Sequence, residues 1–236
     1  MVKIVNINKD AGNLAERAYD EIKRRIFDFV LMPGDRLSES DLAQQIEVSR
    51  TPLRQALQRL QHEGFVEALP KVGWLIVPLD FEKFDELYDF RILIECFAAR
   101  ELCATRKDWP ELRSLALIWK VPAAERLQDA IKTSALDEAF HRTIVESTGN
   151  REMMRTHREI TERIRIIRRL DFTKDNRVTA TYDEHAEILA ALQGGRSDEA
   201  QQLLTSHIEI SKREVRQITL DMLQRARKRE PLAGQN

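Results

Sequence analysis

The chain contains five histidines, and three of them, together with one aspartate, have the spacing to converge on a metal ion. Asp137 and His141 stand four residues apart in LDEAFHRTIV, which puts both on one face of a helix, about 6 Å apart along its axis. Alone, such a pair reads equally as a hydrogen-bonded couple on a helix surface. His185 in YDEHAEILAAL keeps register with Leu189 and Leu192, and His207 in AQQLLTSHIEI keeps register with Ala200, Leu203 and Leu204. A single histidine on an inward stripe is an ordinary core residue. One Asp and three His facing one helical interior have a collective explanation in a divalent cation.

Other polar residues fall on apolar stripes. His157 lies in line with Met153, Ile160, Ile164 and Ile167, so it is a wall residue of the same cavity or a further ligand. Arg91 shares a face with Phe84, Leu87, Ile94 and Ala98. A guanidinium there needs an anion, which is either the carboxylate of a bound ligand or an internal acid such as Glu95. Of Arg163, Arg165, Arg168 and Arg169, the pattern turns Arg165 or Arg169 inward and leaves the others solvated, while Phe140 is expected to face a different part of the bundle. Cys96 and Cys103 are seven apart on one helix face and read as small buried side chains rather than redox or metal groups.

These residues must be positioned by helices. After residue 79 the 3.6-residue periodicity predicts helices over about 81–106, 110–119, 122–147, 150–170, 178–193 and 197–228, with Pro110 and Pro122 interrupting the even spacing. The expectation is an all-α antiparallel bundle spanning 79–236. The first 78 residues read differently. A helix over 15–30 ends at Pro33-Gly34, and a short helix with Ser38 or Ser40 as its cap follows. The next helix carries Pro52 in its first turn and stops at Gly64. FVEALPKVGWLIVP then predicts a two-stranded hairpin with its loop at 69–73. Three helices and a hairpin make a winged helix-turn-helix, so the predicted fold is mainly α in two domains, 1–78 and 79–236.

The stretch SRTPLRQALQRL holds Arg50, Arg54 and Arg59 with no acid among them. Arg50 and Arg54 share one face of the opening turns, where a recognition helix meets base edges, and either could make the bidentate contact to guanine. Ser49 and Thr51 are placed to bond phosphate or a base edge. Lys71 and Gly73 sit at the wing tip, and Gly73 would let the backbone approach the duplex closely.

LMPGDRLSESDLAQQIEVSRTPLRQALQRLQHEGFVEALPKVGWLIV resembles the DNA-binding domain of GntR-superfamily transcription regulators: a Pro-Gly turn with a basic residue, a Leu-Ala pair, a Val-Ser-Arg-x-Pro-Leu-Arg run and a Gly-hydrophobic step into the wing. The resemblance implies DNA contacts at Arg36, Arg50, Thr51, Arg54, Lys71 and Gly73. Likewise DEAFHRTIVESTGN, YDEHAEILAALQGGRSDEA and LLTSHIE are similar to the ligand-binding FCD domain of the FadR-type branch, a likeness that covers 81–228. It implies Asp137, His141, His185 and His207 as metal ligands. Three neutral imidazoles and a carboxylate suit Zn²⁺ first, and also Ni²⁺, Mn²⁺ or Fe²⁺.

Composition bounds the rest. The 236 residues are 42% hydrophobic and 33% charged with a formal net charge of −1, balanced in both halves, so charge alone does not announce nucleic acid. No apolar run spans a bilayer, the N-terminus lacks the apolar core of a signal peptide, and two cysteines build no disulfide framework; the cytoplasm is the expected compartment. The expected protein is a homodimeric, sequence-specific regulator of operator DNA. Its affinity would be set by a small carboxylate bound through the metal, Arg91, Arg165 and His157. Alternatives are a regulator for which the metal itself is the signal, or a metal-dependent enzyme. Against the enzyme, no nucleophile motif accompanies the ligands.

Overall fold

The computed structural model describes residues 7–105, 109–171 and 177–217. They divide into two compact units, one ending at Leu79 and one beginning at Asp80.

The first unit is built on α1 (Ile7–Phe27), α2 (Glu39–Ile46) and α3 (Arg50–Glu63). Ala18, Ile22 and Ile26 of α1 pack on Leu53, Leu57 and Leu60 of α3, all essentially inaccessible to solvent; each buried Ile or Leu side chain contributes about 1.5–3 kcal/mol. Ser38 is the cap of α2, its hydroxyl accepting from the Asp41 amide. Gly64 closes α3 at φ +85°, a left-handed position that only glycine adopts without strain. The sheet holds three strands, β1 (Arg36–Leu37), β2 (Val66–Leu69) and β3 (Gly73–Ile76), in the order β1-β3-β2 and antiparallel throughout. The expected hairpin is β2–β3, and β1 adds a third strand to it: two residues carry no readable period, so β1 is invisible in the sequence.

β1 also changes the meaning of Gly73. Its φ is +128°, and a Cβ placed there would overlap the Leu37 carbonyl oxygen. The close approach that requires glycine therefore lies inside the sheet, between β3 and β1, whatever the wing touches outside. Gly73→Ala is expected to destabilise this unit by about 1–3 kcal/mol, read as a lower urea midpoint for its unfolding in the absence of DNA; an unchanged midpoint would contradict the steric reading.

The second unit is helical throughout its described length: α4 (Phe81–Thr105), α5 (Pro110–Trp119), α6 (Ala130–Glu146), α7 (Arg151–Asp171), α8 (Arg177–Gln193) and α9 (Ser197–Arg216). α4 packs on α6, α7, α8 and α9, presenting Tyr88, Ala98, Ala99 and Leu102 to the interior. The expected helix over 122–147 is shorter than its composition suggests. Pro122 opens only a 3-10 turn over Ala123–Glu125, and α6 begins after Asp129, whose carboxylate accepts from the amides of Ile131 and Lys132. A capped N-terminus outcompetes helix-forming residues upstream of it. The expected helical stretch beyond 217 and the Arg169 side chain lie outside the described residues. Cys103 is buried, and Cys96 lies 3.3 Å from the Thr205 hydroxyl between α4 and α9.

Candidate functional site

In the first unit, the opening turn of α3 faces water. Ser49 is its cap residue in an extended conformation (ψ 166°) with a hydroxyl that makes no cap bond, and Ser49, Arg50, Thr51 and Arg54 are all exposed. So are Arg36 on β1 and Lys71, which occupies the β2–β3 turn at φ +64°. An open cleft between α3 and the hairpin is lined by Glu39, Arg54, Lys71, Gly73 and Trp74. Arg50 donates to Ser40 Oγ (3.0 Å) and Arg54 donates through Nε to Glu39 (2.8 Å). Arg59, the third arginine of the acid-free run, is occupied within the fold. It pairs with Glu16 and Glu63, and its guanidinium lies 3.6 Å from the Tyr19 ring centre.

In the second unit, the four residues singled out by spacing come together. Asp137 and His141 on α6, His185 on α8 and His207 on α9 are at most 2% exposed and each offers a donor atom to one cluster. His141 Nε2 lies 3.1 Å from His207 Nε2, and His185 Nε2 lies 3.4 Å from His207 Nε2. Asp137 Oδ1 is 3.3 Å from His185 Nε2, 3.6 Å from His141 Nε2 and 3.7 Å from His207 Nε2. Donors bonded at about 2.1 Å to one ion stand about 3.0–3.4 Å apart, whether the ion is octahedral or tetrahedral. Three of the five separations fall in that range, and the other two, 3.6 and 3.7 Å, lie just beyond it.

Two carboxylates, Glu95 fully buried and Glu184 half-buried, neither singled out from the sequence as part of a metal site, set its chemistry. Glu95 on α4 accepts from His141 Nδ1 (2.5 Å), from His157 Nε2 (3.0 Å) and from Arg91 Nε (2.6 Å). Glu184 on α8 accepts from His207 Nδ1 (2.5 Å) and from Arg177. Burial opposes the charge on Glu95, yet Arg91 and His141 hold its carboxyl well below the usual range. As the carboxylates accept, both imidazoles carry their proton on Nδ1 and turn an Nε2 lone pair to the centre. Two lone pairs 3.1 Å apart beside a carboxylate oxygen that has no hydrogen bond repel one another unless a cation lies among them. The residues present fit a divalent metal on that ground.

The placement of Phe140 needs correction, and the other polar residues singled out from the sequence find their partners. Phe140 does not face elsewhere: its ring stacks on His185 at 3.7 Å between centres and 6° between planes, with Trp119 edge-on at 4.2 Å. These rings orient His185, whose Nδ1 has no hydrogen-bond partner. Arg165 is taken up by Glu138 (2.8 Å) and Glu162 (2.7 Å). The arginine of α7 that reaches the cluster is Arg168, 2% exposed and paired with Asp137 through Oδ2, which leaves Oδ1 facing the imidazoles. His157 stands behind Glu95 rather than among the four donors. Arg91 has its internal partner in Glu95, and its Nη2 is buried without a hydrogen bond.

Comparison with known proteins places both halves. Residues 14–76 match the bacterial regulatory proteins of the gntR family, and residues 86–210 match the FCD domain. The Nta operon transcriptional regulator of Aminobacter aminovorans is 34% identical over 183 residues, covering 75% of this chain and 82% of its own. The chain belongs to the GntR family and carries an FCD domain. It is a DNA-binding regulator of transcription, not an enzyme. The gluconate operon transcriptional repressor of Bacillus subtilis (strain 168) is 32% identical over 126 residues, 53% of this regulator and 51% of that one. A GntR transcriptional regulator from Rhodococcus sp. RHA1 shares the fold at a TM-score of 0.67 and 22% identity, over 87% of this chain and 98% of that one. No described helix of the regulator is long and apolar enough to cross a membrane.

The buried imidazoles of the regulator carry a pH signature. Burial pushes His207 from an ordinary 6.5 down to about 3; burial likewise lowers His141, and lowers His185 strongly. Between about pH 6.5 and 3 the unfolded chain therefore binds protons that the folded unit refuses, and folding stability falls as pH falls through that window. Chelated protein should show a urea midpoint that declines steadily from pH 7 to pH 4. A midpoint independent of pH across that range would contradict neutral buried imidazoles.

Proposed function

We propose that this regulator binds its operator as a homodimer in the cytoplasm and that a small carboxylate, held at a divalent-metal centre in the FCD domain, sets its affinity for DNA. Base edges would be read by Arg50 and Arg54, with Ser49, Thr51, Arg36 and Lys71 on phosphates and the wing backbone at Gly73 close to the duplex. Asp137, His141, His185 and His207 would hold the cation, which when bound supplies a Lewis-acidic anchor for a carboxylate oxygen. Zn²⁺ is the first expectation among ions that suit imidazole and carboxylate. The single observation that carries the metal reading is the approach of His141 Nε2 and His207 Nε2 to 3.1 Å while the Nδ1 of each is held by a carboxylate.

The remaining parts follow from charge and surface. The buried Nη2 of Arg91, lacking an acceptor, favours an anionic ligand, and one relative is named for the operon of a carboxylate, gluconate. α4 also carries an exposed apolar row, Phe90, Leu93 and Phe97. A second copy covering that row would supply the paired DNA-binding units that two half-sites need.

The test is a titration. Operator duplexes recovered from a randomised library by the full-length protein are expected to bind with a steep loss of affinity as salt rises, and far more tightly than unselected DNA. Adding small carboxylates to the metal-loaded protein should shift that affinity. Binding that discriminates no sequence, or a shift equally large after chelation, would overturn the reading.

A further inference from the structure

Glu39, the first residue of α2, makes two bonds that tie the DNA-facing elements together. Its Oε2 accepts from Arg54 Nε on α3 at 2.8 Å, and its Oε1 accepts from the Trp74 indole N–H on β3 at 3.1 Å. Both oxygens are committed, one to the helix and one to the wing. The Trp74 bond and the neighbouring arginines hold its carboxyl below the usual range, so the link is charged at neutral pH.

The geometry of the Arg54 contact matters. Glu39 takes the Nε side of the guanidinium, whereas guanine is read through a pair of parallel N–H groups directed at O6 and N7. The Nη1–Nη2 edge remains for that purpose, on a side chain that is 60% exposed. A free arginine spreads over many rotamers, and fixing it costs conformational entropy at the moment of binding. An arginine tethered before DNA arrives has already lost that freedom. The tether has an opposing consequence, because a carboxylate close to the duplex repels phosphates and weakens binding to any sequence.

We propose that Glu39 is a positioning residue for base recognition: it holds Arg54 with its outer edge ready for a base and registers the wing to that edge through Trp74. The inference rests on the reading of Arg54 as a base contact. Glu39 thus trades general affinity for discrimination, which neither a packing residue nor a surface salt bridge does.

Full-length wild type, Glu39→Gln, Glu39→Ala and Arg54→Ala should each be put through selection from a randomised duplex library, with affinity for one unselected duplex measured alongside. Arg54→Ala is expected to lose its preference at one base pair of each half-site. Both Glu39 variants should weaken preference at that same base pair, by roughly 5- to 100-fold for Glu39→Ala and less for Glu39→Gln, which keeps one acceptor. Their affinity for the unselected duplex should equal or exceed that of wild type. Glu39 variants that keep the preference Arg54→Ala loses would overturn the positioning role, as would equal losses on selected and unselected DNA, the mark of a damaged fold. If Arg54→Ala itself keeps every preference, the base-reading role of Arg54 fails first, and the role of Glu39 with it.

Discussion

Chelating the divalent ion from the purified regulator is expected to lower the unfolding temperature of its FCD unit by about 8–16 °C. An ion present at a thousand times its dissociation constant stabilises the folded state by about 4 kcal/mol, and in a domain of this size each kcal/mol moves the midpoint by about 2–4 °C. The cause is specific to the cluster. With no cation, the Nε2 atoms of His141 and His207, each turned inward by a carboxylate on its Nδ1, face each other at 3.1 Å in a buried site where water does not screen them. His207→Ala should reproduce most of the loss in the presence of metal, since removing one of four donors leaves a weak site. Glu95→Gln should do so in part, because a carboxylate on the far nitrogen of a metal-bound histidine is worth about 10- to 100-fold in metal affinity. Calorimetry with and without Zn²⁺ reads all three. A chelated protein that unfolds at the same temperature would mean that the four donors are a packed polar cluster and no more.

The second large effect is on DNA. Arg50→Ala and Arg54→Ala are each expected to weaken operator binding by about 1–3 kcal/mol and to relax the preference at one base pair, as loss of a bidentate guanine contact does. Lys71→Ala differs in kind. A phosphate contact carries no sequence information, so its loss should weaken all sequences alike and reduce the salt slope by about 1. Arg59→Ala provides the internal control. Its pairs with Glu16 and Glu63 and its place over Tyr19 tie α3 to α1, so it should cost stability with no change in base preference. If Arg59→Ala relaxed specificity and Arg54→Ala did not, the DNA-facing side of α3 would have to be redrawn.

Much of this was legible from spacing. Asp137 and His141 share a face because a helix returns every 3.6 residues, and His185 and His207 are phased with leucines that must be inside. What periodicity does not carry is the partner across a helix interface. Glu95 is four residues from Arg91, and that local pair was readable, but its bonds to His141 on α6 and His157 on α7 arise only when three helices pack. The same holds for Glu184, which lies beside His185 in the chain yet serves His207. Arg165 and Arg168 are three residues apart on α7; Glu138 and Asp137, adjacent residues on α6, decide which arginine is solvent-side and which is buried. Helix phase turns Phe140, next to a ligand, toward another part of the bundle, and it does not foresee that the ring of His185 arrives from α8 flat against it. In the first unit, Ser38, Pro52 and Gly64 announced the helix ends by local chemistry, while the two-residue β1 had no pattern to announce.

The most direct test is anomalous diffraction from crystals of the protein as purified, with data on both sides of the absorption edges of zinc, nickel, iron and manganese. A single peak bonded to His141 Nε2, His185 Nε2, His207 Nε2 and Asp137 Oδ1, with light-atom density of a carboxylate beside it, is the expected result. Four well-ordered side chains in direct contact with one another and no anomalous peak, in protein that still binds its operator and still responds to an effector, would contradict a metal-anchored site.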